Sequence, residues 1–292
     1  MQFAPIILFV YNRPEHTRLT IEALQKNKLA SESILYIFCD GLKTKDNKSE
    51  ALHNDVKRII NSIKGFKDLI IKERNANYGL AKSIVDGVSY VLNIHGKAIV
   101  LEDDLITSEY FLQFMNDSLN VYDGCDNIYS VQGYMFPIET NRKNELLLPF
   151  TSTWGWGTWK SKWEYLELDL AEKEVIRNSK YLKERFNLGD YSYSDMLTFE
   201  NNSWGIKWYY SVFRRNGLCV FPPRTLIKNV GFDNSGTNCN EDTSFNLQKL
   251  FNYKTDVIKQ EFLDIEVLDK IENYFTMKKK SILKRILEKI FK

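Results

Sequence analysis

The sequence predicts an α/β protein built on a mostly parallel sheet flanked by helices, and three observations lead there. Short apolar runs rich in Ile and Val alternate with segments of helical spacing over residues 1–130. The runs are apolar on both faces, the pattern of strands covered by helices on either side. Three of the runs end in polar groups, and open parallel sheets bind ligands beyond the carboxyl ends of their strands.

In chain order, strands are expected at Pro5–Tyr11, Ile34–Cys39, Asp68–Lys72 and Lys97–Leu101, with helices at Pro14–Gln25, Glu50–Ile63 and Leu80–Leu92 between them. Pro14 suits the first turn of a helix, where its missing N–H costs nothing. After the stretch VLEDDL, Thr107 or Ser108 can cap a helix running to about Tyr122, with Phe111, Leu112, Met115 and Leu119 on its inner face. The second half is less regular and rich in aromatics. It holds TSTWGWGTWKSKW (Thr151–Trp163), a helix SWGIKWYYSVF (Ser203–Phe213), a strand-like GLCVFPP (Gly217–Pro223) and the polar GFDNSGTNCNED (Gly231–Asp242). One domain over residues 1–262, in two halves (1–130 and 131–262), followed by a helical tail over 263–292, is the simplest organisation.

A hydrophobic content of 43% is ample for a packed core, so disorder is excluded as the main state. The net charge of +2 gives no field suited to nucleic acid, but it is unevenly spread: the last sixteen residues, MKKKSILKRILEKIFK, carry +6, leaving the other 276 at −4. In that tail Ile282, Leu283, Ile286, Leu287, Ile290 and Phe291 recur at helical spacing among lysines. This is the composition of a helix lying on an anionic membrane surface; docking on its own domain or on a partner is the alternative. Cys39, Cys125, Cys219 and Cys239 form no C-x-x-C pair and read as reduced thiols. No apolar run reaches the ~18 residues of a membrane span. PIILFVY reads as a strand rather than a leader. A cytoplasmic protein, peripherally attached to the inner face of the cell membrane, is expected.

The polar strand ends are Tyr11-Asn12-Arg13, Asp40-Gly41 and Glu102-Asp103-Asp104. Like charges side by side repel, so three consecutive acids call for compensation. Mg2+ or Mn2+ takes oxygen ligands, and magnesium typically uses one or two carboxylates plus substrate phosphates. Acids that cap the next helix and face water are the alternative. Arg13 suits a bidentate phosphate contact and Asp40 a ribose or base; a surface arginine and a turn aspartate are the bland readings. Asn77 in NANYGLAKSI precedes a helix whose free N–H groups favour anions, or is an ordinary turn residue. No G-x-G-x-x-G follows the first strand, which argues against a dinucleotide dehydrogenase, and no G-x-x-x-x-G-K-[ST] occurs, which excludes a P-loop NTPase.

PIILFVYNRPEHT, IFCDG, NYGLAKS, VLEDDL, TWGWGTWKSKW, SWGIKWYYSVFRRNGL and LIKNVGFDNSGT, in this order, resemble the GT-A glycosyltransferases. The similarity is strongest to the branch with N-acetylglucosaminyltransferase I and bacterial family 2-like enzymes of surface polysaccharide synthesis. It covers roughly residues 4–245. It implies that residues 1–130 hold a nucleotide-sugar donor, a UDP-sugar, and that the aromatic half, 131–262, takes a glycan or lipid-linked glycan acceptor. Asp104 would ligate the metal, Asp103 and Glu102 would sit near the ribose and donor sugar, and Arg13 and Asp40 match nucleotide-contacting positions. Metal and Arg13 would neutralise the leaving diphosphate.

Enzymes of this branch invert the anomeric centre and need a carboxylate base. Where N-acetylglucosaminyltransferase I has an acidic pair between two tryptophans, this chain has Trp204-Gly205-Ile206-Lys207-Trp208. Glu200 is therefore the first substitute, Asp195 the second and Asp233 the third. Asn238 or Asp233 stands where a histidine often completes the metal shell. Trp154 and Trp156 are expected to wall the sugar sites, and Trp159 and Trp163 to lie in the core. A sugar nucleotidyltransferase and a non-catalytic nucleotide- or glycan-binding module are the rival readings.

Overall fold

A computed structural model describes residues 3–44, 46–198, 203–233 and 249–290, and for 278–290 the backbone alone. The first half is laid down as strand–helix units: β1 (Ile6–Val10), α1 (Pro14–Gln25), β2 (Ile34–Cys39), α2 (Asn47–Asn61), β3 (Asp68–Glu73), α3 (Leu80–His95) and β4 (Lys97–Glu102). The four strands pair in parallel in the order β3-β2-β1-β4. β1 is buried along its whole length, as a strand with helices on both faces must be. α1 packs against α2, while α3 lies on β1 and β4. α2 begins three residues before its expected start because Asp46 caps it, accepting the Ser49 N–H at 2.9 Å.

The sheet continues through β6 (Ile128–Gln132), β7 (Leu146–Leu148), β8 (Trp156–Trp159) and β9 (Leu218–Phe221) to eight strands in the order β3-β2-β1-β4-β8-β6-β9-β7. β8 runs antiparallel to both β4 and β6, which makes this second half mixed. A separate two-stranded ribbon joins β5 (Leu105–Thr107) to β10 (Ile227–Asn229), antiparallel. The sequence places Thr107 only as a candidate cap of the next helix; the strand character of Leu105–Thr107 comes from this distant partner. That helix, α4 (Phe111–Val121), buries Phe111, Leu112, Met115 and Leu119 as expected.

Short helices α5 (Lys160–Trp163), α6 (Lys173–Asn178) and α7 (Lys180–Phe186) and the longer α8 (Trp204–Arg214) complete the aromatic half. Its core is a tryptophan stack: Trp156 lies on Trp204 at 5.2 Å between ring centroids, and Trp163 on Trp208 at 5.1 Å. Such pairs add about 0.5–1.5 kcal/mol each beyond their burial. Trp156, expected at the sugar site, is only 1% exposed and belongs to this core, because β8 lies between two sheet neighbours and turns the ring under α8.

The last helix, α9 (Ile265–Ile290), is no free appendage from residue 263 on. Val267, Ile271 and Phe275 are buried, and the Phe275 ring meets Phe136 at 5.1 Å and Tyr191 at 5.0 Å. Its first three turns are part of the domain. The strap before it runs along edge strand β7: Asp264 donates its N–H to the Leu147 carbonyl, and buried Glu145 accepts from the Ile258 and Gln260 N–H groups and the Tyr122 hydroxyl. No described helix is long and apolar enough to cross a membrane.

Candidate active site

Because β1, β2 and β4 are parallel neighbours, their carboxyl ends emerge on one edge and bring Arg13, Asp40 and the acid turn together. Arg13 is the N-cap residue of α1, and its carbonyl accepts both the N–H and the hydroxyl of Thr17. So fixed, its Nη2 donates to Oδ1 of Asp103 and, at 3.0 Å, to Oδ2 of Asp104. Thr20, one turn further along α1, donates to the Asp103 carbonyl at 2.8 Å. The start of α1 is thereby clamped onto the acid turn.

The charges in this turn are crowded and shielded from water. Burial pushes the Glu102 carboxyl up to about 8, with the adjacent Asp104 and Asp103 charges adding to the effect. Burial also raises Asp103, to about 6, against the pull of Arg13. Arg13 itself is held firmly cationic: burial opposes its charge, and the two aspartates outweigh it. One guanidinium thus faces three adjacent acids, of which Asp103 and Asp104 are buried and Glu102 is partly covered.

The second wall comes from far along the chain. The β5–β10 ladder carries the segment after β10 over the acid turn, where the Val230 N–H donates to the Asp104 carbonyl at 2.9 Å. Gly231 then rests directly on the Asp104 side chain; a Cβ there would lie 2.9 Å from its Cγ. Asp233, the third candidate base, pairs with His16 of α1, Oδ2 to Nε2 at 3.2 Å. Phe232 packs on Trp154 at 5.5 Å, and Trp154 in turn on Tyr134 at 4.5 Å. Trp154 is thus half-buried beside the site, unlike Trp156.

Asp40 and Asn77 are drawn into holding one loop. The Asp40 carboxylate accepts the N–H groups of Tyr78, Gly79 and Gly41, and Asn77 donates its side-chain amide to the Gly41 carbonyl at 2.7 Å. Gly41 is required by that closeness, since a Cβ would meet the Ala76 carbonyl carbon at 2.5 Å. A cleft of about 380 Å³ opens beside this loop at the ends of β2 and β3, lined by Gly41, Leu42, His53, Asn54, Arg74 and Asn75 among others. His53 donates from Nε2 to the Asp40 carbonyl at 2.8 Å, which fixes its tautomer.

Three participants escaped the sequence reading: His16, Gly231 and Arg74. His16 lies one helical turn from Arg13, and that i, i+3 spacing was the available signal. Arg74 follows β3 directly, a fourth polar strand end; its guanidinium lies over the Tyr78 ring at 4.3 Å and donates to the Ser83 carbonyl at 3.2 Å.

Of the other bases, Asp195 sits on a 3-10 turn (Tyr193–Met196) that packs on α6 and α7, largely exposed and 3.9 Å from Lys183. Its ion-pair partner is therefore a surface lysine and not a group of the acid turn, because the turn follows the fold of the α6–α7 pair. Glu200 and Asn238 lie outside the described residues. Among the described residues no group of three or more His, Cys, Asp or Glu side chains is arranged to hold a metal ion. The acid turn offers carboxylate oxygens only, the donor type that a hard divalent ion takes.

No protein-family model matches the chain, and no curated protein matches it. Among solved structures it is similar to the mannosyltransferase PcManGT from Pyrobaculum calidifontis in complex with GDP-Man and Mn2+, at 11% identity over 79% of this chain and 58% of that one, with a TM-score of 0.44. It is similar to S. aureus TarS 1–349 at 11% identity, 78% and 60% coverage and a TM-score of 0.40. A putative nucleotide-diphospho-sugar transferase from Desulfovibrio desulfuricans G20 gives 10% identity, 81% and 90% coverage and a TM-score of 0.40. The chain spans less than two thirds of the length of the first two.

Proposed function

We propose that this chain is a glycosyltransferase that moves a sugar from a nucleotide-diphosphate donor, a UDP-sugar, to a glycan or lipid-linked glycan, with inversion, in assembly of a bacterial surface polysaccharide. The observation that carries the reading is the single guanidinium of Arg13 joined to both Asp103 and Asp104 at the shared carboxyl edge of β1, β2 and β4. That edge is where parallel sheets bind nucleotides, and VLEDDL with TWGWGTWKSKW is the sequence resemblance that agrees with it.

In this mechanism Arg13 exchanges part of its aspartate contact for the donor diphosphate, and so stabilises the negative charge that grows as the glycosidic bond breaks. Asp104 would hold Mn2+ or Mg2+, which when bound supplies Lewis-acid neutralisation of the diphosphate. Glu102 and Asp103 orient the donor sugar and ribose. The loop fastened by Asp40 and Asn77 borders the nucleotide, and Trp154 offers a ring face to the sugar. Glu200 takes the proton of the attacking acceptor hydroxyl. The basic end of α9 meets an anionic membrane surface, where a lipid-linked acceptor would be found.

A thermal-shift panel of nucleotide sugars with manganese, magnesium or chelator tests this, since a ligand bound to the native state raises the melting temperature by mass action. The donor raises it with manganese, and Asp104→Ala removes the manganese-dependent part. Glu200→Gln leaves the shift in place and abolishes transfer. A panel without any shift overturns the reading, and release of pyrophosphate from a nucleoside triphosphate and a sugar phosphate would replace it with nucleotidyl transfer.

A further inference from the structure

One pair at the mouth of the site is not used by the transfer as described. His16 and Arg13 project from the same first turn of α1; Arg13 binds the acid turn, and His16 binds Asp233. The His16 side chain is 14% exposed and that of Asp233 48%, so an inner imidazole on a regular helix holds an outer carboxylate on an irregular segment. Two residues before Asp233, Gly231 lies against the Asp104 side chain. The segment is therefore attached on one side to β5 and on the other to α1, with the acid turn between the two attachments.

We infer that His16 is a positioning residue that holds Asp233 against the rim of the cation–diphosphate site; the inference rests on the donor reading above. A carboxylate on an irregular segment samples several rotamers, and a partner fixed on a helix removes that freedom before the ligand arrives. The carboxylate accepts and the imidazole donates from Nε2–H, which the neutral ring provides in one tautomer. With Asp233 so held, its carboxylate is anchored two residues beyond the contact of Gly231 with Asp104. A second donor of similar reach at position 16 should do the same work.

The test uses the full chain, with manganese titrated in the presence of UDP and, in a second arm, GDP, and the bound ion read by its paramagnetic resonance. Wild type binds the ion together with a nucleotide, and Asp104→Asn does not. His16→Ala weakens manganese–nucleotide binding by about ten- to a hundredfold, the usual effect of removing a group that orients a ligand. His16→Gln, whose amide can donate from a similar position, restores most of it, and the ligand-free melting temperature stays the same in both variants. Asp233→Asn combined with His16→Ala is no weaker than the weaker single variant, as expected for two residues acting through one contact. Unaltered binding in His16→Ala, no rescue by His16→Gln, or additive losses would each overturn the assignment. Failure of wild type to bind the ion with either nucleotide removes the donor reading itself, and the role of His16 with it. Wild-type binding with an indifferent His16→Ala removes His16 alone.

Discussion

Gly231 and Asp104 stand 127 residues apart in the chain and touch in the fold, with no room between them for a methyl group. The contact couples the segment after β10 to the last acid of the turn that follows β4. Gly231→Ala is expected to push the Asp104 carboxylate aside, at a cost of about 1–3 kcal/mol as for other overpacked positions. Urea unfolding measures that cost. Manganese-dependent nucleotide binding should fall by more than the stability loss explains.

The two glycine-flanked tryptophans are expected to separate cleanly. Trp156→Ala empties the centre of the stack and should cost about 3–5 kcal/mol, as large-to-small core changes do. Trp154→Ala, at a half-buried ring between Tyr134 and Phe232, should cost less stability and more ligand affinity. Chemical denaturation alongside nucleotide-sugar titration distinguishes them; equal stability losses would count against the division.

Asp40 holds its loop through charge-assisted bonds to the Tyr78 and Gly79 N–H groups. Hydrogen bonds to charged groups contribute about 1.5–3 kcal/mol. Asp40→Ala should therefore release the loop, and hydrogen exchange at those two amides should quicken while the strand amides of β1 stay protected.

Cys39, at the end of β2 beside His53, is 1% exposed, and burial pushes its thiol up to about 11 from an ordinary 9.0. Because the folded value lies above the unfolded one, the associated stability is fully present below pH 9.0 and is lost as the pH rises towards about 11. Native Cys39 should resist alkylation at pH 8 and react only on unfolding. Mass spectrometry of iodoacetamide-treated protein, with half-exposed Cys125 as the internal comparison, checks both points.

The sheet's first half was readable because its signals are local. Ile34–Cys39 and Pro14–Gln25 form with their expected bounds, since an apolar run and a proline-started amphipathic turn each carry their own instruction. Arg13 and the acid turn were legible for the same reason: both follow directly from strand ends. What escaped depends on distant partners. Leu105–Thr107 is a strand through Ile227–Asn229, and Trp156 is core because β8 slips between β4 and β6. Glycines beside Trp156 speak equally for a ligand and for a neighbouring strand, and the spacing WGWGTW does not say which. His16 was passed over because its partner, Asp233, is 217 residues away.

The strap along β7 also bears on how copies of the chain keep apart. An open sheet has two rims that invite a stranger's backbone to join. Here one rim, β7, is already taken by Asp264 and by the donors gathered on Glu145, and the other, β3, begins at Asp68 and ends in Lys72 and Glu73. Both borders therefore carry features that discourage strand-on-strand growth.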